Sequence, residues 1–598
     1  MFFVCLAISL AIWLAFVYAA YSGSRKRAAT QTVSARTLVI TGTALAAVAV
    51  FWPVYASRYA DDAAIVRIFK ILILSLRRSI RPFLADTEFD VIQKATAGES
   101  PTLSAVYSLW SGFLFALAPM LTFSFVLSLF KNITAALRYR FAFNRDVYVF
   151  SDMNERSMIL AESLRRKYPT AALVFTDVYP KKEEEAAELY ERARTLHAIC
   201  LSKDILDFRF DRHSPGRTIC FFLIGGSEDE NISQTIALIR SFRERAHTAI
   251  YLFSENEETE LYLSGLDKGG LFVRRVNSTR SLIYRNLYEN GSVLFTGAGP
   301  AQDGLRQIGA VVVGMGGRGT EMLKALSWYC QMDGYALNLT GFDRNSSAAS
   351  VFRAACPDLM NPAYNGAAIP GDAQYRIRIH GGVNVDSAEF AEEIGKLRDT
   401  TFVFVSLGDD AANIRCAVRL RTLFERMGVH PAIHAVVSGA GKQRALDGAA
   451  NFRGTPYDVR FIGSMEEMYS ADVILNSELE QEGLRRHLKW GKEADFWNYE
   501  YNYRSSLSSA LHLRARIACG MPGAGKPEAE LTEAEGRSVE LLEHRRWAAY
   551  MRSEGYVFSG AHDPATRSDL AKMHHDLIPY DELTEAEKRK DRVSSIAE

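Results

Sequence analysis

Three long apolar segments near the N-terminus constrain this chain more than any other feature of its sequence. Residues 2–21 contain no charged side chain, and residues 37–57 and 103–130 form two further segments of the same kind. About 20 apolar residues in a helix are enough to cross the hydrocarbon core of a bilayer. A cleaved signal peptide is the alternative for the first segment, but the basic start of such a peptide is missing. The sequence therefore predicts a transmembrane region over residues 1–135.

Basic residues beside these segments predict their orientation, because short cytoplasmic loops carry an excess of Lys and Arg. The loop after the first segment contains Arg25, Lys26, Arg27 and Arg36. The third segment is followed by Lys131, Arg138, Arg140 and Arg145. Three spans satisfy both sets of charges. We therefore expect a multi-pass protein of the inner (plasma) membrane, with its N-terminus outside and everything after residue 131 in the cytoplasm.

Residues 63–102 lie between the second and third segments and have a mixed character. Their first half combines apolar residues with the basic residues Arg67, Lys70, Arg77, Arg78 and Arg81. An amphipathic helix on the membrane surface is one interpretation of this pattern. The alternative is a fourth, charge-bearing span similar to a voltage sensor, which would conflict with the loop charges.

A short polar stretch stands immediately before the third segment, where a re-entrant pore loop would lie. Irregular backbone at membrane depth occurs only where it lines a cavity. Thr96, Gly98, Glu99 and Ser100 could then offer hydroxyl, carbonyl and carboxylate oxygens to a cation. The potassium-filter sequence T-V-G-Y-G is missing, and an ordinary polar loop is the alternative. A pore of this kind would need several copies of the chain around one axis.

From residue 141 onward, short apolar runs alternate with helical stretches, which is typical of β-α-β units and of an α/β fold with a doubly wound parallel sheet. Residues 141–300 form the first Rossmann-like domain, with strands expected at 147–150, 172–176, 197–201, 218–224, 248–253 and 271–275. Its first turn, S-D-M-N-E-R-S, lacks the glycines that admit a pyrophosphate. Asp177 stands where an acid would bind a ribose, although Asp is also common in loops. We interpret this domain as a degenerate nucleotide fold that acts as a scaffold.

Residues 305–485 form a second Rossmann-like domain, with further strands expected at 375–379, 402–406, 432–437 and 458–462. Its glycines have the G-x-G-x-x-G spacing, after an apolar strand and at the start of a helix. Such glycines allow a tight turn, close approach of a phosphate and close helix–strand packing, and a helix N-terminus attracts anions. The alternative is that they serve packing alone. The residues expected to bind NAD(P) or another nucleotide are Gly314, Gly316, Gly317, Arg318, Gly319 and Asp343.

Neither a catalytic nor a metal-binding constellation accompanies this motif. Asp409 and Asp410 follow a strand, where such a pair caps the next helix more often than it catalyses. The seven cysteines include no C-x-x-C pair, and the adjacent His574 and His575 have no third ligand at a usable spacing. The 70 basic and 70 acidic residues leave no net charge to attract a nucleic-acid duplex. We therefore predict neither an enzyme nor a metal site.

Residues 495–598 carry the most specific pattern in the chain. The pattern comprises Glu543-His544, Arg546-Trp547, Gly555-Tyr556, Lys572, His575, Asp576-Leu577, Pro579-Tyr580, Leu583 and Lys590-Asp591. It resembles the RyR domain, a small helical repeat that is named after ryanodine receptors and is also found in bacteria. Aromatic faces beside cations suit a nucleotide base and its phosphate, although Trp547 and Tyr556 could instead form the core of the module. The residues expected to form a ligand pocket are Arg546, Trp547, Tyr556, Lys572, His575 and Tyr580.

The order of these parts resembles ion channels with tandem TrkA-N (regulator-of-conductance) domains and, loosely, the plant Castor/Pollux channels, over residues 37–475. The resemblance implies a ligand-gated, ion-conducting membrane protein that senses a nucleotide or a nucleotide-derived molecule. It also implies a homo-oligomer, a tetramer by analogy, and a role in bacterial signalling or defence against phage. A membrane-anchored enzyme that uses NAD(P) or a nucleotide sugar is one alternative, and a membrane scaffold without a channel is the other.

Overall fold

The computed structural model describes residues 1–25, 35–59, 63–84, 86, 89–178, 183–302, 304–360, 363–364, 367–368, 375–447, 451–452, 455–475 and 477–595. These residues form two compact units, Met1–Arg140 and Phe141–Glu598. The first unit is helical, and the second contains both parallel sheets and the C-terminal module.

The described residues of the first unit form α1 (Phe2–Arg25), α2 (Ala35–Arg58), α3 (Ala64–Ile80), α4 (Phe89–Thr96) and α5 (Pro101–Phe141). Three helices in the described part of the chain are long and apolar enough to cross a membrane, over Phe2–Ala20, Thr37–Arg58 and Pro101–Phe123. They correspond to the three predicted segments. The last part of the predicted third span belongs to the continuous helix α5, but its side chains from residue 124 onward lie outside the described ones.

The helix α3 buries small polar side chains and exposes large apolar ones. Ile71, Ser75 and Ser79 lie in one buried row. The opposite surface exposes Ile65, Ile68, Phe69, Leu72, Ile73 and Leu76. Packing through small residues with apolar residues outside is typical of helices in contact with lipid. The surface helix and the fourth span both stay predictions.

The first sheet lies in the second unit and consists of β1 (Val147–Phe150), β2 (Ala172–Phe175), β3 (Ile199–Cys200), β4 (Ile219–Leu223), β5 (Thr248–Phe253) and β6 (Phe272–Val276). All neighbours are parallel, in the order β3-β2-β1-β4-β5-β6. The helices of this domain are α6 (Glu155–Lys167), α7 (Glu183–Thr195), α8 (Glu228–Phe242), α9 (Thr259–Ser264), α10 (Ser278–Asn290) and α11 (Val293–Thr296). The central strands are buried at every position, as expected for a sheet covered on both faces.

The second sheet repeats this order. Its strands are β7 (Ala301–Gln302), β8 (Leu305–Val313), β9 (Tyr335–Asp343), β12 (Tyr375–Gly381), β13 (Thr400–Val405), β14 (Ala432–Val436) and β17 (Val459–Ile462). Two short hairpins lie outside this sheet. They pair β10 (Ala363–Tyr364) with β11 (Ala367–Ala368) and β15 (Asn451–Phe452) with β16 (Thr455–Pro456). Six parallel strands run in the order β12-β9-β8-β13-β14-β17, and β7 pairs antiparallel with β8. The helices are α12 (Gly317–Tyr329), α13 (Ala348–Ala355), α14 (Ala388–Lys396), α15 (Asp410–Met427), α16 (Ala440–Asp447), α17 (Met465–Met468) and α18 (Ala471–Leu475). The predicted pair of Rossmann-like sheets is therefore confirmed.

The C-terminal module is mainly helical. It contains α19 (Glu478–His487), α20 (Glu493–Asn498), α21 (Glu500–Ala518), α22 (Glu533–Ser553), α23 (Glu585–Ser595) and a parallel pair of β18 (Val557–Phe558) and β19 (Met573–His574). The helix α19 falls within the predicted second domain, but it packs against α21 and so belongs structurally to the module.

The indole of Trp328 marks the place where the three parts of the second unit meet. Trp328 lies on α12 and is fully buried. Its ring is 5.6 Å from that of Tyr284 on α10 and 6.2 Å from that of Tyr550 on α22, edge-on to both. Residues of both sheets and of the module belong to one hydrophobic cluster around this point. The helix α12, which begins at the glycine motif, therefore packs against the first Rossmann-like domain and against the C-terminal module.

Candidate functional site

The glycine motif forms a tight turn between β8 and α12. Gly314 follows the strand with a φ of +92°, a left-handed conformation that favours glycine. Gly316 precedes the helix in an extended conformation, and α12 begins at Gly317. The first amide groups of a helix have no partner within that helix. The N-terminus of α12, which carries a partial positive charge, therefore lies at this turn.

Two of the glycines are required by packing, and two face open space. A Cβ atom on Gly314 would lie 2.2 Å from the carbonyl oxygen of Ser406, and one on Gly319 would lie 1.7 Å from that of Gly314. Gly316 and Gly317 have nothing within 4 Å of such an atom. Packing thus explains the outer glycines, while the open inner pair leaves room for a ligand to approach the backbone.

Asp343 supports the turn from the end of β9. Its Oδ2 accepts a hydrogen bond from the amide of Met315 at 2.6 Å, and its Oδ1 accepts one from the amide of Asn345 at 2.6 Å. Both carboxylate oxygens are therefore engaged with backbone close to the glycines. Arg318 lies half-buried on the first turn of α12. The predicted contacts of Asp343 with a ribose and of Arg318 with a phosphate stay predictions.

The corresponding turn of the first domain is closed by its own side chains. Asn154 caps α6, since its Oδ1 accepts from the amide of Ser157 at 3.0 Å and its Nδ2 donates to the carbonyl of Ile224 at 2.8 Å. The backbone amide of Asn154 donates in turn to the Ser157 hydroxyl. Asp177 has a φ of +50°, and its amide donates to the carbonyl of Lys203. This arrangement favours the scaffold interpretation of the first domain.

A cluster of charged side chains surrounds the junction at α12. We call it the interdomain charge cluster, with the members Glu257, Glu260, Arg275, Arg280, Glu321, Lys324, Glu500, Arg504 and Glu554. Arg280 of α10 donates through Nε to Glu321 of α12 at 2.8 Å and lies 3.7 Å from Glu554. Arg504 of α21 donates to Glu554 at 2.6 Å and to Glu260 of α9 at 2.8 Å. The cluster thus joins both Rossmann-like domains to the C-terminal module.

The charges of the cluster compensate one another. Burial alone would raise the pKa of the Glu554 carboxyl, but Arg504, Arg280 and Lys324 lower it to about 2. Burial also disfavours the charged form of Arg280, yet Glu321 and Glu554 hold its pKa well above the ordinary value. Buried ions of this kind are stable only while their partners are present.

We compared the chain with models of protein families and with curated proteins. Neither comparison gave a match.

A cleft of about 820 Å³ opens in the C-terminal module. Its lining includes Trp547, Arg546 and His575 from the predicted ligand pocket. The half-buried Trp547 ring lies 4.9 Å from the His574 ring and 5.8 Å from the His544 ring. Further cations in the lining are Arg486, Arg567, Arg589 and Lys590. An aromatic face among cations suits the base and phosphate of a nucleotide.

Arg546 itself is occupied by contacts within the protein. Its Nη2 lies 2.7 Å from Oε1 of Glu543, and its Nη1 donates to the Ser508 hydroxyl at 2.8 Å. The two charged side chains are each 2% exposed. Arg546 therefore supports the wall of the cleft, and the more exposed cations around it are better placed for a phosphate.

The other three residues of the predicted pocket lie elsewhere. Tyr556 and Lys572 line a separate cavity of about 660 Å³. The Tyr556 hydroxyl donates to Asp569 at 3.3 Å, and the Lys572 ammonium donates to the carbonyl of Glu554 at 2.7 Å. Tyr580 is buried, and its hydroxyl donates to Glu540 at 2.6 Å. The six residues do not form one pocket, because they come from different elements of the module, from α22 to the turn at Tyr580.

The predicted pore-loop residues belong to the connection between α4 and α5. The buried Thr96 hydroxyl donates to the carbonyl of Ile92 at 3.0 Å and lies 3.1 Å from the Ser104 hydroxyl. Gly98, Glu99 and Ser100 are exposed. The Ser100 hydroxyl accepts from the amide of Leu103 at 3.3 Å and so caps α5. The single chain gives these residues the geometry of a helix-to-helix turn, and their role in a pore stays a prediction.

Only the first residue of the acidic pair after β13 has the capping role that was expected. Asp409 accepts from the amide of Ala412 at 2.8 Å and caps α15. Asp410 accepts from the amides of Ser438 and Gly439 at 2.9 and 3.2 Å and holds the loop after β14. Both carboxylates are therefore occupied by backbone amides.

Proposed function

We propose that the protein is a membrane-anchored sensor that binds a nucleotide at the glycine turn and transmits binding to its membrane segments, which conduct ions as an oligomer. NAD(P) and other nucleotides that carry a pyrophosphate are the ligands that suit this turn. The open backbone at Gly316 and Gly317, at the N-terminus of α12, supports a phosphate site. The three apolar helices of the first unit support a membrane anchor.

The observation that carries this proposal is the course of α12. The helix has 13 residues and begins in the glycine turn, so its length is about 20 Å. Glu321 and Lys324 of this helix belong to the interdomain charge cluster, and Trp328, near its C-terminal end, belongs to the shared hydrophobic core. A ligand at the turn would therefore contact the N-terminus of α12, and the side of this helix contacts both the first Rossmann-like domain and the C-terminal module. Binding shifts a conformational equilibrium only if the ligand prefers one state.

The cleft of the C-terminal module offers a second position for a nucleotide. Trp547 would stack on a base, and Arg567 and Lys590 would hold a phosphate. The resemblance of this module to the RyR domain supports the same assignment. Ion conduction, tetrameric assembly and a role in defence rest on the resemblance to ion channels. In the proposal, ion conduction is the response to nucleotide binding.

The experiment uses the full-length protein in liposomes with a trapped ion-sensitive dye. We expect NADH, NADPH, ADP or ATP to change the ion flux and to bind in calorimetry. Gly316→Asp places a carboxylate in the open turn and should weaken binding about tenfold, or about 1.4 kcal/mol. Gly395→Asp is the matched control, because it adds the same charge at another glycine of this domain, on α14, where a Cβ atom likewise meets nothing within 4 Å. Binding without flux would remove the ion pathway from the proposal, and a wild-type protein that binds none of these nucleotides would overturn it.

A further inference from the structure

We propose that His562, Asp576 and Glu587, assisted by His575, bind one divalent transition-metal ion of the zinc type in the C-terminal module. The proposal is independent of the nucleotide site, because it rests on a different set of residues and on a different kind of ligand. These four residues, called the histidine–carboxylate cluster below, come from three separate stretches of the module. They are brought together only by its fold.

The donor atoms have the spacing of a metal site. His562, Asp576 and Glu587 each offer a nitrogen or oxygen atom within 4.8 Å of the others. The His562 Nε2 atom lies 3.4 Å from Oδ1 of Asp576 and 3.1 Å from Oε2 of Glu587. The Nε2 atom of His575 lies 3.2 Å from the same Oδ1. Ligand atoms around a tetrahedral zinc ion lie roughly 3.3 Å apart, given zinc–ligand distances of about 2.0–2.2 Å.

Two buried atoms of the cluster lack hydrogen bonds among the described residues. Oδ1 of Asp576 has two imidazole nitrogens within 3.4 Å, yet it accepts a hydrogen bond from neither. The buried Nδ1 of His575 is likewise without a partner there. Buried polar atoms are normally satisfied, and a bound ion is one of the few reasons for an exception. The His562 Nε2 atom donates to the Glu587 carboxylate, at 3.2 Å from Oε1 and 3.1 Å from Oε2, and a bound metal ion would take the place of that proton.

Part of the cluster also has a role in local structure. Glu587 accepts from the amide of Thr584 at 2.8 Å through Oε2, while its own amide donates to the Thr584 hydroxyl, so that the pair caps α23. This cap uses Oε2, whereas Oε1 accepts from the His562 Nε2 atom, at 3.2 Å, in the bond that a metal ion would replace. Capping does not require His562, Asp576 or His575. Their presence around Glu587 is the part that a metal explains.

The donor types indicate which metal would bind. Imidazole nitrogens together with carboxylate oxygens favour zinc and its neighbours in the transition series. Magnesium and calcium prefer sets made of oxygen alone. His574 lies next to the cluster, with its ring stacked 4.8 Å from that of His575, but its Nδ1 accepts from the amide of Asp576. It therefore orients the turn and is not counted as a ligand.

A bound ion would link three segments at one edge of the cleft. It would join the loop at His562, the turn after β19 and the first turn of α23. His575, Asp576 and Glu587 also line the cleft that contains Trp547. The ion would therefore fix the shape of this part of the cleft wall and stabilise the module.

The test measures metal binding by the full-length protein in detergent, purified without a polyhistidine tag and stripped with a chelator. Zinc is titrated in competition with a chromophoric chelator, and bound metal is counted by mass spectrometry. We expect one zinc equivalent that is weakened at least tenfold in His562→Gln and in Asp576→Asn. His430→Gln is the matched control, because His430 lies 3.1 Å from Glu425 in a pair that belongs to neither of the clusters found in the described residues.

A thermal measurement guards against variants that simply unfold. The His562 side chain is 26% exposed, so the metal-free variant should melt at the same temperature as the metal-free wild type. Zinc should raise the melting temperature of the wild type and of His430→Gln by mass action, and it should leave His562→Gln unchanged. The proposal is overturned if the wild type binds no zinc, or if His562→Gln and Asp576→Asn bind it as tightly as the wild type.

Discussion

Arg504 and Glu554 form a salt bridge of 2.6 Å in which each side chain is only 10% exposed. Both residues belong to the C-terminal module, but each also contacts the first domain. Arg504 donates to Glu260, and Glu554 lies 3.7 Å from Arg280. The pair therefore does more than close the module on itself. It makes the position of the module depend on charges that the first Rossmann-like domain supplies.

Removing one partner of this pair should destabilise the protein. In Glu554→Gln, the buried cations Arg504 and Arg280 would lose their closest common anion, which typically costs about 3–5 kcal/mol. We expect the midpoint of denaturant unfolding, followed by tryptophan fluorescence of the full-length protein, to fall accordingly. Glu244→Gln is the control, because the Glu244 side chain is 90% exposed and surface changes usually stay within about 0.5 kcal/mol. Equal midpoints for the two variants would show that the cluster contributes nothing to stability.

The same carboxylate predicts a dependence of stability on pH. The pKa of Glu554 is lowered from 4.5 to about 2 in the folded protein. As the pH falls below 4.5, the unfolded state therefore binds a proton before the folded state does, which favours unfolding. The stabilisation from Glu554 is full above pH 4.5 and is lost as the pH falls towards 2. Thermal midpoints measured across this window should fall more steeply for the wild type than for Glu554→Gln, and parallel curves would contradict the prediction.

The two parallel sheets could be predicted because their signal is local. Strands buried on both faces are continuous apolar runs, such as Val147–Phe150 and Ile219–Leu223. The glycine turn was equally accessible, since its spacing is a local pattern and Gly319 is required by a contact with Gly314 within the same β-α unit. Predicted and observed strand ends differ by at most two residues, and the predictions for β1 and β5 agree with the structure at both ends.

The charge cluster and the histidine–carboxylate cluster could not be predicted in the same way. Their members are far apart in the sequence, and each one alone resembles an ordinary surface residue. One signal was present, because Arg274 and Arg275 stand together inside the apolar strand β6. Two arginines in a buried strand require anions nearby, and Glu480 and Glu500 supply them. His562 had no such signal, since the turn that brings it to Asp576 is specified only by tertiary packing.

The two Rossmann-like domains each contain an equivalent hydrogen-bonded asparagine, which was not predicted from the sequence. The buried Asn231 accepts from the amide of Gly225 at 2.9 Å and donates to the carbonyl of Phe253 at 3.2 Å. Asn413 makes the equivalent bonds to the amide of Leu407 at 2.6 Å and to the carbonyl of Val436 at 2.8 Å. In each sheet the asparagine connects the loop after the fourth strand to the end of the fifth.

We expect Asn231→Ala and Asn413→Ala to destabilise the protein to a similar extent. Each substitution removes the partner of a partly buried amide and of a buried carbonyl, at a cost of about 1–3 kcal/mol for a buried group left unsatisfied. Unfolding midpoints of the full-length variants measure this cost. The equivalence of the two positions would be disproved if one variant lost stability and the other kept that of the wild type.

The glycine turn offers a sharper comparison, because neighbouring glycines differ in what surrounds them. Gly319→Ala would bring a methyl group to 1.7 Å from the carbonyl oxygen of Gly314, so α12 must move away from β8. Overpacking of this kind typically costs about 1–3 kcal/mol. Gly317→Ala meets nothing within 4 Å and gains helix propensity, so its unfolding midpoint should equal or exceed that of the wild type.

Because α12 also carries Glu321 and Trp328, its displacement in Gly319→Ala should loosen the contact with the C-terminal module. Hydrogen exchange of α22 would then increase in Gly319→Ala and stay at the wild-type level in Gly317→Ala, whereas unchanged exchange in both would show that the turn and the module are not coupled through this helix.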